Sequence, residues 1–238
     1  MKYIISKKPK GAKLILGFPS LGLVSTIATK FLIDHLDVEQ IGKIESEHFV
    51  PLTAIHKSKI IDPITIYYNK KYNLVLIQSI TEIRGLEWEL SNIILKIAKE
   101  LNSKEIVMLE GMPGHEEKLK VYFYSNLKKE CSLEKLNEGI IMGVTAAILL
   151  KSKNVPVTCI FAETHSQLPD SEAAARIVQA LDEHLGFNVD YKPLLEAAKK
   201  FETNLKKYME KIQGQQTVQQ QKDPKLSKKE KKELDYFG

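Results

Sequence analysis

The stretches EIVMLEGM (105–112) and VPVTCIFAET (155–164) set the strongest limit on how this chain folds. A strand with one wet face alternates apolar and polar residues. These runs are apolar at nearly every position, as strands buried on both faces are. The strand KLILGF (13–18) reads the same way. A sheet covered on both faces needs helices above and below, and the intervening sequence supplies them.

After KLILGF a sharp turn leads into a helix, with Leu23, Ile27 and Phe31 recurring every four residues as its core stripe. A second helix spans about Leu86 to Leu101, with Leu86, Leu90, Ile93, Ile94, Ile97 and Leu101 on one face. A third follows Asp170, whose carboxylate can accept from the free amides of the first turn, and ends at Gly186, which suits a left-handed cap. A last, long amphipathic helix opens with Pro193 in its first turn.

IGKIESEHF, ITIYYN and NLVLIQSI read as further strands, separated by turn chemistry at Asp62-Pro63 and over 70–73. VYFYSN and EGIIMGV are shorter strand candidates. The expected fold class is α/β: a three-layer sandwich around a mixed, largely parallel sheet. Near Gly214 the sequence GQQTVQQQKDPKLSKKEKKE loses almost all apolar content and cannot offset the entropy of ordering. The expected domains are an α/β body over 1–212 and a flexible, disordered Gln/Lys-rich C-terminal tail over 213–238.

Composition excludes several classes. A net charge of +5 is small for 238 residues, and from Gln213 onward six lysines face four acidic residues, leaving +3 for the body. That is not the concentrated basic footprint of a nucleic-acid binder, so none is expected as partner. The apolar run over 140–150 carries glycine and threonine and is too short to span a bilayer, and residues 1–9 lack the apolar centre of a signal peptide. A cytoplasmic protein without a membrane partner is expected. Cys131 and Cys159 make neither a disulfide scaffold nor a metal site, and Cys159 reads as a buried reduced thiol.

Three segments have the residue types of a site. GFPSLG spaces Gly17 and Gly22 like a phosphate-binding loop, but Leu23 and Val24 stand where the Lys-Ser/Thr pair belongs. A tight strand-to-helix turn is the competing reading, and anion binding at the helix start stays open. AETHSQLPD puts Glu163, His165 and Asp170 at the carboxyl end of a strand, where α/β proteins place ligands. These five residues make up the candidate ligand pocket. GMPGHEEK offers His115, Glu116 and Glu117, but adjacent ligand types point apart and read as a solvated loop, so no metal is expected. No cofactor is expected either. Trp88 lies off its helix's apolar stripe and is a candidate subunit contact, with peripheral core packing as the alternative.

Taken in order, GFPSLGLVSTIATKFLIDHL, IGKIESEHFVPLTAI, DPITIYY, EGIIMGVTAAILL, AETHSQLPDSEAAARIV and DYKPLLEAAKKFE resemble the proteasome assembly chaperone family in its archaeal form. The resemblance covers about residues 10–205 and rests on glycines, the Pro169-Asp170 pair and Ala173-Ala174. It implies a nucleoside-phosphorylase-like α/β fold, self-association into a homo-oligomer, no catalysis, and the α-subunits of the 20S proteasome as partners. It also implies a C-terminal docking motif: a hydrophobic residue, a tyrosine, then any terminal residue with its carboxylate. Here Tyr236, Phe237 and Gly238 take those places, with phenylalanine standing for tyrosine. In an alternative register Tyr236 serves as the aromatic. A small-ligand-binding protein or enzyme is the rival reading, and a scaffold for another chaperone or ATPase is a third.

Overall fold

Strands whose side chains are buried on both sides lie at the centre of the sheet. In a computed structural model the described residues are 1–56, 58–114, 119–126, 132–152, 155–164, 168–187 and 189–196. In chain order they form β1 (Lys2–Ile5), β2 (Lys13–Gly17), a 3-10 turn (Leu21–Leu23), α1 (Val24–His35), β3 (Val38–Glu45), β4 (Ala54–His56), β5 (Lys59–Ile61), β6 (Ile64–Asn69) and β7 (Leu74–Ser79). Then come α2 (Glu87–Glu100), β8 (Glu105–Pro113), β9 (Val121–Ser125), β10 (Glu134–Lys135), α3 (Gly143–Lys151), β11 (Val157–Thr164) and α4 (Ser171–Leu185).

Among the described residues the main sheet has nine strands in the order β1-β3-β6-β7-β2-β8-β11-β9-β10. The central four, β7, β2, β8 and β11, run parallel. Antiparallel pairings of β6 with β7 and of β9 with β11 flank them, so the sheet is mixed, as expected. β4 and β5 pair apart from it as a hairpin. The short edge strand β1 and this hairpin were not apparent from the sequence.

Successive residues of the central strands feed two cores. Leu14, Leu16, Ile106, Met108, Cys159 and Phe161 pack with Leu90, Ile94 and Ile97 of α2 and Ile148 of α3. Ile15, Val107, Leu109, Ile160 and Ala162 pack with Ala28 and Leu32 of α1 and Ile177 and Leu181 of α4. Three layers result, and burying all eight side chains of β11 explains its unbroken apolar run.

Two expectations change. The α1 stripe is Val24, Ala28, Phe31 and Leu32, whereas Leu23 is 39% exposed and Ile27 only part-buried. The cause is local: Gly22 (φ 63°) and Leu23 (φ 50°) are both left-handed, which resets the helix one residue later. EGIIMGV is not a strand. Residues 138–142 form a loop and Gly143 opens α3, so the apolar run serves a loop and then a helix.

The third helix behaves as its ends predict. Asp170 accepts from the Ala173 amide at 2.8 Å, and Gly186 adopts φ 71°. The chain is helical again over 192–196; the rest of the expected last helix and the boundary near Gly214 lie outside the described residues.

Candidate functional site

The glycine turn after β2 is held by packing. At Gly17 an added Cβ would lie 2.2 Å from Thr29 Oγ1, so only glycine lets α1 sit this close to β2. At Gly22 a Cβ would stand 3.0 Å from Thr164 Oγ1, and its carbonyl accepts from the Asp170 amide at 2.9 Å. Asp170 uses both carboxylate oxygens locally: one takes the Ala173 amide, the other the Thr164 hydroxyl at 2.7 Å. Gly22 and Asp170 therefore meet, as the rival ligand reading needs, but their polar atoms already tie the starts of α1 and α4 to the end of β11.

Glu163 is buried and accepts from the Lys120 amide at 2.8 Å, while its own amide donates to the Lys120 carbonyl at 3.0 Å. It anchors the segment entering β9. His165 lies outside the described residues, as do His115, Glu116, Glu117, Cys131, Tyr236, Phe237 and Gly238. Among the described residues no group of three or more His, Cys, Asp or Glu could hold a metal ion. No helix among them is long and apolar enough to cross a membrane.

A second feature lies at the same end of the sheet. β2 and β8 are neighbours whose outgoing chains part: the first leads to α1 on one layer, the second reaches α3 on the other. Such a divergence opens a crevice beyond the carboxyl ends of parallel strands. Here the crevice is a cavity of about 620 Å³, floored by Glu110 and Phe161 and walled by Phe18, Leu21, Met112 and Val144. Its lip carries Ile140 and Met142, which are 94% and 79% exposed.

Glu110 is the acid of this cavity. Its Oε1 accepts from the Thr145 hydroxyl on α3. The residue is only part-buried at the mouth, yet mostly apolar walls surround the carboxyl. That desolvation pushes its pKa up to about 7, against a smaller opposing effect of the Thr145 bond. The group thus exchanges a proton near neutral pH. Nearby Cys159 is fully buried, and burial, with the Glu110 charge, pushes its thiol up as well. Sequence reasoning passed over Glu110. The available signal was a single acid closing an otherwise apolar strand, at the end where α/β proteins bind ligands.

Trp88 is 55% exposed at the start of α2, off the apolar stripe as read. Lys151 Nζ lies 4.7 Å from its ring centroid and donates to Asn92 Oδ1 at 2.6 Å.

The family comparison accords with this architecture. The model of the PAC2 family matches residues 14–209. An uncharacterized protein of Methanocaldococcus jannaschii is 29% identical over 210 residues, covering 83% of this chain and 85% of that protein. Pyrococcus furiosus PbaA, an archaeal homolog of proteasome-assembly chaperone, superposes with a TM-score of 0.78 at 25% identity, over 90% of this chain and 99% of its own. Pyrococcus furiosus PbaB, an archaeal proteasome activator, shares the fold with a TM-score of 0.74 at 21% identity, over 87% of this chain and 98% of its own. The chain belongs to the PAC2 family, the proteasome assembly chaperone family that its segments resemble.

Proposed function

We propose that this protein is a cytoplasmic, homo-oligomeric proteasome assembly chaperone or adaptor, without enzymatic activity, that docks on the α-ring of the 20S proteasome through its C-terminal tails. The family match over residues 14–209 carries this reading. The likeness to PbaA over nearly its whole length supports it.

Tyr236, Phe237 and Gly238 supply the docking chemistry. An aromatic side chain buries a large area for few lost rotamers, and a terminal carboxylate suits capture by a lysine or by backbone amides. Phenylalanine at the penultimate place forgoes the phenolic hydrogen bond of tyrosine, a loss of about 1 kcal/mol. One tail binds weakly, but several on one oligomer raise the effective concentration. If it behaves as a flexible coil, a linker of about 24 residues reaches roughly 25–30 Å.

Affinity isolation from the native cell tests the proposal. The full chain should bring down proteasome α-subunits, and a chain lacking residues 236–238 should lose them while keeping its fold and oligomer. Equal recovery by both chains would defeat it.

A further inference from the structure

Among the described residues, the cavity between the β2 turn and the start of α3 is lined by an acid and no base. Among its described lining residues there is no Lys, Arg or His. Glu110 takes a hydrogen bond from Thr145, which can share but not neutralise its charge. A carboxylate among apolar walls is costly unless a cation accompanies it. Among the described residues no positive group contributes to its electrostatics, and the nearby Cys159 thiol is held neutral by burial. The other described lining side chains are apolar apart from Ser20, whose hydroxyl accepts from the Gly111 amide and pairs with the Ser25 hydroxyl, and Ile140 and Met142 stand exposed at the mouth. A volume of about 620 Å³ falls within the span that takes a drug-sized molecule, roughly 300–1,000 Å³.

We propose that this cavity binds an amphipathic organic cation, with its apolar body between the β2 turn and the lip at Ile140 and Met142, and its ammonium head paired with Glu110. The missing counter-charge comes from the ligand. Binding draws Glu110 to its ionised form and releases part of a proton near neutral pH. Below the pKa of the free site the carboxyl must first give up that proton, so affinity falls with acidity. With the free carboxyl titrating near pH 7, binding at pH 5.5 should be about 20-fold weaker than at pH 7.5. The described residues that line this site fall between Phe18 and Phe161, so the proposal does not rest on the tail or on proteasome docking.

The test is calorimetric titration of the full chain with three naphthyl compounds of matched size: 2-(1-naphthyl)ethylamine, 2-(1-naphthyl)ethanol and 3-(1-naphthyl)propionate. The amine should bind at least tenfold more tightly than the alcohol and the carboxylate more weakly still. The amine's advantage should vanish in Glu110→Gln, which preserves shape, and its affinity should fall in Met142→Lys, which sets a competing cation at an exposed position of the lip. Equal binding of all three compounds would overturn the proposal, as would an amine affinity indifferent to Glu110→Gln. So would no binding of the amine, including a result in which only a lysine-bearing apolar peptide binds.

Discussion

Two corners lie at the carboxyl end of the same parallel strands, and they differ in what is left unpaired. In the corner built from Gly22, Thr164 and Asp170, both carboxylate oxygens of the acid and the backbone carbonyl of the glycine have partners. In the corner floored by Glu110, the acid has the Thr145 hydroxyl, the walls are apolar, and Ile140 and Met142 stand in water. The first corner has the sequence of a binding loop but the bonding of a hinge pin. The second has an unremarked sequence but incomplete chemistry. Spacing of glycines and acids reports a tight turn as readily as a ligand loop, and a carboxyl with no counter-charge among the described residues separates the two.

Substitutions that disturb only one corner can break or sharpen this contrast. The largest effect is expected at Gly17, where an added Cβ would lie 2.2 Å from Thr29 Oγ1 and 2.7 Å from Thr29 Cβ. Gly17→Ala should cost about 2–4 kcal/mol in denaturant unfolding, and Thr29→Ala in the same chain should recover part of it. Little loss would mean that glycine is kept there for some other purpose.

Glu110→Gln should act in the opposite direction and only at higher pH. The folded carboxyl has its pKa raised to about 7, above the unfolded value, so the folded state holds the extra proton between the two. Stability from this group therefore falls as pH rises from about 4.5 to about 7 and stays low above that. Relative to the parent, the glutamine variant should gain at most about 3 kcal/mol between about pH 4 and pH 8, less any relief from water entering the mouth. Parallel stability curves for the two proteins would show that the acid is solvated.

Asp170→Ala should cost about 1–2 kcal/mol through the lost helix cap and the lost bond to the Thr164 hydroxyl. Asp170→Asn, which can still accept from the Ala173 amide, should cost less. If either variant also abolished binding of the naphthylamine, the two corners would not be separable.

The contrast also explains what was legible in the sequence. The central strands were, because burial on both faces leaves a local mark in each run. So were the cap at Asp170 and the left-handed stop at Gly186, whose partners lie within a turn. The stripe of α1 was misplaced because Leu23 spends its apolar side chain outside the core in a left-handed conformation, which periodicity cannot register. EGIIMGV looked like a strand because β-branched and apolar residues suit one, yet Ile140 and Met142 end up exposed at a loop. Glu110 stayed hidden because its isolation is made at a distance: α3 brings Thr145 over it from 35 positions away.

Proteasome docking is tested most directly by the affinity of the purified chain for isolated 20S particles, with and without residues 236–238, and in competition with a peptide ending in DYFG. The full oligomer should bind, the truncated one should lose at least tenfold in affinity with its oligomeric state unchanged, and the peptide should compete weakly. Undiminished binding by the truncated chain would contradict docking through the tail.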